Sequence, residues 1–131
     1  MKTVIAITLA ALAAGCGSAP AAGTRPPAGT GQVTHARAVH AVALRAGVSG
    51  GRAYARAVWW GGVPACYALA PVRVARHGTT ITVDLREGSI AHPGTACIEL
   101  AMRKAVRVSL GALEPGSYLV VAGGRTARLQ V

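Results

Sequence analysis

The chain has no phenylalanine, and its aromatic side chains are two tryptophans and three tyrosines among 131 residues. A hydrophobic interior must therefore be assembled from Val, Ile, Leu and Ala. Carboxylates are nearly as scarce: Asp84, Glu87, Glu99 and Glu114 are the only four, and they are scattered. No pair of them is spaced for general acid–base work. Phosphate-binding loops and dinucleotide fingerprints are missing. No C-x-x-C or H-x-x-x-H spacing offers a metal cage. The four histidines, His35, His40, His77 and His92, stand apart, and on one strand His35 and His40 would point to opposite faces. The expectation is a protein that is not an enzyme, with no catalytic residues, no metal site and no cofactor. Long apolar runs are also lacking. The longest, Val4 to Ala14, would rise only about 16 Å as a helix, about half the hydrocarbon thickness of a bilayer.

What is abundant is positive charge. Lysine and arginine number 14 against the four acids, for a formal net charge of +10. A field of that sign concentrates anionic partners and speeds encounters with them. Enrichment in Arg, Ala and Gly also follows from GC-rich coding, and the sequence leaves both readings open. The length predicts a single domain.

The N-terminal quarter divides sharply from the rest. Lys2 gives a short positive region, Val4 to Ala14 an apolar one, and Leu12-Ala13-Ala14-Gly15-Cys16 closes it with small residues and a cysteine. The order suits an export signal. The segment resembles the lipobox of bacterial lipoproteins, with Ala13 where leucine is favoured. That resemblance implies cleavage before Cys16, a diacylglyceryl thioether on its sulfur and, usually, an acylated N-terminus. Residues 1–15 would then be signal peptide. Residues 16–31, rich in Gly, Ala, Pro, Ser and Thr, read as a lipid-anchored flexible linker. Fifteen such residues span roughly 20 Å on average. The implied address is extracytoplasmic, at the cell membrane or, in a host with two membranes, the outer one, because Gly17 is not an acidic retention residue. With Cys16 lipidated, Cys66 and Cys97 remain, and an even pair in an exported domain reads as a disulfide.

From Val33 onward the hydrophobic period is two. Ile81, Val83 and Leu85 alternate with Thr80, Thr82, Asp84 and Arg86; Ile98, Leu100, Met102, Val106, Val108 and Leu110 share one parity. Lys104 falls on that inward parity, which predicts either a bulge near Arg103-Lys104 or an edge strand with an inward charge. Seven strands are predicted, at 33–45, 53–60, 67–75, 79–86, 97–110, 117–122 and 125–131, although Ala36 to Leu44 could instead form a short helix. His77-Gly78 and Gly123-Gly124 mark tight hairpins, the second of the primed type.

Leu113-Glu114-Pro115-Gly116-Ser117-Tyr118 resembles the tyrosine corner of immunoglobulin-like and fibronectin type III-like domains. Together with Pro64-Ala65-Cys66, the hairpin from Arg76 to Val83 and Cys97, it makes residues 32–131 similar to small bacterial Ig-like domains. The implied fold is all-β: a single Ig-like antiparallel β-sandwich in which the Tyr118 hydroxyl bonds back to the backbone, Leu113 and Gly116 shaping the turn. Val120 stands where the antibody-type cysteine would be, so a Cys66–Cys97 bridge would staple different segments.

Two features suggest a binding surface. Trp59 and Trp60 are adjacent, so one faces inward and the other stands outward beside Arg56, an arrangement suited to a sugar or an anion. Arg103, Lys104 and Arg107, with Arg73, Arg76 and Arg86, could line up as a basic stripe if their strands are neighbours. The expected role is a membrane-tethered interaction module whose partner is an envelope protein or an anionic polymer, with no specific nucleic acid. The alternatives are a polyanion binder and an inhibitor of a secreted hydrolase that uses loop 87–96 as a wedge.

Overall fold

A computed structural model describes residues 32–90, 94 and 96–131. The signal segment 1–15, Cys16, the linker 16–31 and His92 lie outside the described residues. Those described contain strands, turns and irregular segments but no helix, and none of them forms a helix long and apolar enough to cross a membrane. The protein is all-β.

Ten strands run in chain order: β1 (Val33–Ala38), β2 (Ala41–Ser49), β3 (Arg52–Gly61), β4 (Tyr67–Leu69), β5 (Arg73–His77), β6 (Thr80–Asp84), β7 (Arg86–Ile90), β8 (Met102–Gly111), β9 (Ser117–Ala122) and β10 (Arg125–Gln130). They form three sheets, ordered β2-β3-β8, β10-β9-β6-β5 and β1-β7-β4. The first two face one another across a common core. From β3 come Ala53, Ala55, Ala57 and Trp59; from the opposite sheet come Ile81, Val83, Val120, Ala122 and Leu129. Strand alternation puts these residues on the inner faces and sends their neighbours to solvent.

The third, smaller sheet is made by strands that turn corners. β6 leads through Leu85 into β7, and β1 leads through Val39-His40 into β2. At this crossing the Val39 N–H donates to the Leu85 carbonyl at 2.9 Å, and both side chains are buried. These corners explain why seven expected strands become ten: 33–45 divides at Val39-His40, and 67–75 divides between Leu69 and Arg73. A further strand, β7, occupies 86–90, beginning at the end of the expected strand 79–86 and running into the segment 87–96 expected to be a loop. Ala36 to Leu44 is therefore strand on both sides of a corner, not helix. The expected strand 97–110 is paired only from Met102 on. The register of β3 against β8 is unbroken from Tyr54↔Ser109 to Gly61↔Met102, so no bulge forms at Arg103-Lys104, and β8 is an edge strand.

One pairing departs from the antiparallel expectation. β6 and β9 run parallel, Thr80 opposite Leu119 through Val83 opposite Ala122. This pairing joins the β5–β6 hairpin to the β9–β10 hairpin. The latter turns on Gly123 and Gly124, whose φ of 56° and 75° are the left-handed conformations that a primed turn requires. Gly123 is also packed too closely for a side chain: an added Cβ would lie 2.7 Å from the Ala41 Cβ.

At the start of β9 the buried Tyr118 hydroxyl donates to the Glu114 carbonyl at 2.8 Å, across the Pro115-Gly116 turn. The Arg76 guanidinium lies over its ring, 5.2 Å from the centroid. Cys66 and Cys97 are bonded, with their Cα atoms 5.8 Å apart. The bridge ties the exposed segment before β8 to a sulfur that is fully buried.

Replacing Cys66 and Cys97 together by Ser removes a cross-link between residues 31 apart, which the chain-entropy account values at about 3.7 kcal/mol as an upper guide. Urea unfolding of the double variant is expected to show a midpoint well below that of the oxidised parent, and equal to that of the parent under reducing conditions.

Candidate functional site

The register of β2, β3 and β8 decides which side chains share the outer face of their sheet. Along β3 the outward residues are Arg52, Tyr54, Arg56, Val58 and Trp60. Arg56 is opposite Arg45 of β2 on one side and Arg107 of β8 on the other. Strands lie about 4.8 Å apart, so three exposed guanidinium groups stand in a row about 10 Å long. Trp60 is opposite Arg103, one more exposed cation. None of the three strands contains an acidic residue.

The face has relief. Between the Arg56 row and Arg103 lies a shallow depression of about 280 Å³, floored by Val58 and Ala105. The Arg107 guanidinium stacks on the Tyr54 ring, 3.6 Å from its centroid. Tyr54 in turn occupies the space above its cross-strand partner Gly47, where a Cβ would come within 2.9 Å of the phenol oxygen. A glycine opposite an aromatic thus lets the ring lie flat and hold an arginine in place.

The remaining expected site residues go elsewhere. Trp59 is 3% exposed and belongs to the core. Its Nε1 is a buried donor without a partner among the described residues. Lys104 points inward, as its parity requires, and ion-pairs with Glu87 of β7. Its Nζ also donates to the Tyr67 carbonyl at 3.3 Å, while the Gly62 N–H donates to the same Glu87 carboxylate at 3.2 Å. Both charged side chains are about seven-eighths buried. A Cβ on Gly61 would strike the carboxylate, so that glycine makes room for the pair. Arg73, Arg76 and Arg86 sit on β5 and β7 and do not extend the row. Arg86 instead meets Asp84 at 3.4 Å. Arg45, Arg52 and Tyr54 are members of the face that sequence reasoning did not single out. The alternation Arg52, Tyr54, Arg56 was a usable signal for two of them; placing Arg45 needs the β2–β3 register.

Beside this face, at the Trp60 end, a cleft of about 630 Å³ opens between the large and small sheets. Trp59, Trp60, Tyr67 and Glu87 contribute to its wall, with Ile98 and Leu100 from the disulfide-pinned segment. His35 and His40 both line it, contrary to the opposite faces expected for a flat strand. The cause is local: β1 slips register between Thr34 and Arg37, and His35 has φ of +52°. Among the described residues no group of three or more His, Cys, Asp and Glu side chains is placed to hold a metal ion.

Comparison with protein-family models, with curated proteins and with solved structures gives no match to this chain.

Removing one partner of the Lys104–Glu87 pair leaves the other charge buried, which costs about 3 kcal/mol or more. Lys104→Met and Glu87→Gln are each expected to destabilise by about that much, and the double variant by clearly less than their sum. Chemical denaturation of the four proteins of the cycle measures the coupling; simple additivity would show that the two charges do not act as a pair.

Proposed function

We propose that this chain is an extracytoplasmic lipoprotein, anchored through Cys16, whose Ig-like domain of residues 32–131 is a non-enzymatic binding module of the cell envelope. The outer face of β2-β3-β8 is its binding surface, and the partner is anionic. One observation carries the choice of surface: Arg45, Arg56 and Arg107 stand side by side with no carboxylate in any of the three strands. Like charges directly opposite one another weaken a sheet. An anionic partner turns that cost into affinity.

The lipid anchor rests on the order of charged, apolar and small residues ending at Cys16, and the Cys66–Cys97 bond is compatible with an oxidising compartment. The non-enzymatic reading is supported by how two of the four described carboxylates are engaged: Glu87 is taken up by Lys104 and Asp84 by Arg86. An inhibitor wedge at 87–96 has less support, because residues 86–90 form the central strand of the small sheet, paired on both sides.

Intact-mass analysis of the native product is expected to find Cys16 as the first residue, carrying a diacylglyceryl group; an uncleaved N-terminus would remove the lipoprotein reading.

Binding to heparin, used as a generic linear polyanion, is expected to weaken linearly in log–log terms as salt rises. Arg56→Ala should lower that slope by roughly 0.7–0.9, the effect of losing one anion contact. Arg128→Ala, on β10 of the other sheet, should leave it unchanged. Equal effects from the two substitutions would mean diffuse charge and no defined face.

A further inference from the structure

Large apolar side chains stand in solvent where the basic face meets the cleft. Trp60 is 59% exposed, Ile98 61% and Leu100 55%, and all three line the same cleft. Met102, 40% exposed, pairs with Gly61 next to Trp60. Val42, 42% exposed, lies at the bulge by which β2 passes from Trp59 to Val58 of β3. Soluble proteins scatter such residues singly, and a gathering of five marks a contact surface. Nor are they on a loose end. The Leu100 N–H donates to the Ile98 carbonyl at 3.0 Å, and the preceding Cys97 is bonded to buried Cys66.

The chemistry around this apolar end selects its occupant. Arg103 is opposite Trp60, and the Arg45–Arg56–Arg107 row lies beyond the Val58–Ala105 floor. Two acids line the cleft here: Glu87, paired with Lys104, and Glu99, between Ile98 and Leu100. A dissolved polyanion would engage the arginines and leave Ile98 and Leu100 in water. An apolar protein groove would take the latter and leave the arginines without counter-charge. A bilayer surface with anionic headgroups takes both together: Trp at headgroup level, aliphatic side chains just beneath, and arginines on the phosphates.

The chain's own attachment points the same way. The segment outside the described residues ends at β1, and His35 and Arg37 of β1 line the same cleft as Trp60, Ile98 and Leu100. A linker of roughly 20 Å reach therefore joins the domain on the side where the apolar cluster lies. Tethering of that length holds a second contact at an effective concentration in the millimolar range, so a weak face suffices.

We infer that the anchored domain docks on its own membrane, Trp60, Ile98 and Leu100 entering the headgroup layer and the arginines of the β2-β3-β8 face contacting anionic lipid phosphates. This rests on the lipid anchor proposed above.

The test uses the full lipidated chain in vesicles of phosphatidylcholine alone, or of phosphatidylcholine mixed with phosphatidylglycerol, with bromine-labelled acyl chains as quencher. In the anionic vesicles Trp60 emission is expected to shift to the blue and to be quenched. Trp60→Phe should abolish the response, since Trp59 is in the core. Each arginine of the row changed to Ala should lower the ratio of docked to undocked protein about fivefold. Ile98→Ser with Leu100→Ser, both at exposed positions, should reduce quenching. Equal quenching in both vesicle types would overturn the contact of the arginines with anionic phosphates, and Trp60 emission that stays unshifted and unquenched in the anionic vesicles would overturn docking. So would a Trp60 shift produced by heparin without vesicles while bilayers have no effect, which would assign the face to a soluble polymer. Failure of the anchor reads differently: the chain would then not sediment with pure phosphatidylcholine vesicles, whereas failure of docking alone leaves a sedimenting chain with Trp60 still in water.

Discussion

The ion pair between Lys104 and Glu87 governs which way β8 faces. A strand has period two, so a shift of one residue exchanges every side chain between core and solvent. An inward lysine on β8 is tolerable only because β7 brings a carboxylate to meet it, with the Tyr67 carbonyl and the Gly62 amide completing the arrangement. Held in that register, β8 sends Val106, Val108 and Leu110 toward the core and Arg103 and Arg107 to the outer face. A slipped strand would bury two arginines, send the lysine to solvent and leave Glu87 buried without its partner. The pair also ties the small sheet to the edge of a large one, beside the cleft that Trp59, Trp60 and Glu87 line. The same contact thus sets both the arginine row and its apolar neighbour.

The core explains why this fold carries few options. Without phenylalanine, the inner face of β3 is Ala53, Ala55 and Ala57 before it reaches Trp59, and the facing sheet supplies Ile81, Val83, Val120 and Leu129. Small side chains contribute little burial each. A domain of about 100 residues buries only a little over 60% of its unfolded surface, so its margin is modest. The disulfide adds to that margin. Against this background, three adjacent arginines on one cross-strand row are a standing cost of a few tenths to about 1 kcal/mol per opposed pair. Nothing in the packing requires them. The stacking of Arg107 on Tyr54 holds one of these cations in place without neutralising it.

Much of the fold could be read in the sequence because alternation is a local signal. The β5–β6 and β9–β10 hairpins, the Cys66–Cys97 pairing and the parity of β8 all follow from residues near one another or from cysteine arithmetic. The corners were illegible for a physical reason. Val39 and Leu85 are buried and apolar, and Leu85 keeps the parity of Ile81 and Val83, so nothing in the pattern records that the strand changes sheets there. β7, Arg-Glu-Gly-Ser-Ile, has a composition closer to a loop; pairing with β1 and β4 on its two sides makes it a strand. The parallel contact of β6 with β9 is non-local and leaves no mark on either segment. The site divides along the same line. Arg56, Trp60, Arg103 and Arg107 could be placed outward from parity within their own strands. The inward course of Lys104 was visible too, but its partner Glu87 was not. The row itself, with Arg45 in it, exists only once three strands are in register.

The abundance of arginine has a compositional explanation that its arrangement does not share. A coding bias toward Arg, Ala and Gly would raise the count everywhere, and arginines do occur on β5, β7 and β10. Two of those are bound to oxygen acceptors: Arg86 reaches Asp84, and Arg125 donates to the Ala41 carbonyl at 2.7 Å. On β2-β3-β8 the arginines meet one another, the Tyr54 ring, an exposed tryptophan and an apolar floor, and no carboxylate lies in any of the three strands. A planar, weakly hydrated guanidinium suits that setting better than an ammonium would, because it can stack on a ring and still present donors to a phosphate or carboxylate oxygen. The one lysine of the three strands is turned inward, where a compact point charge serves an ion pair. Composition sets how many cations the chain has, and register sets which of them remain free to bind.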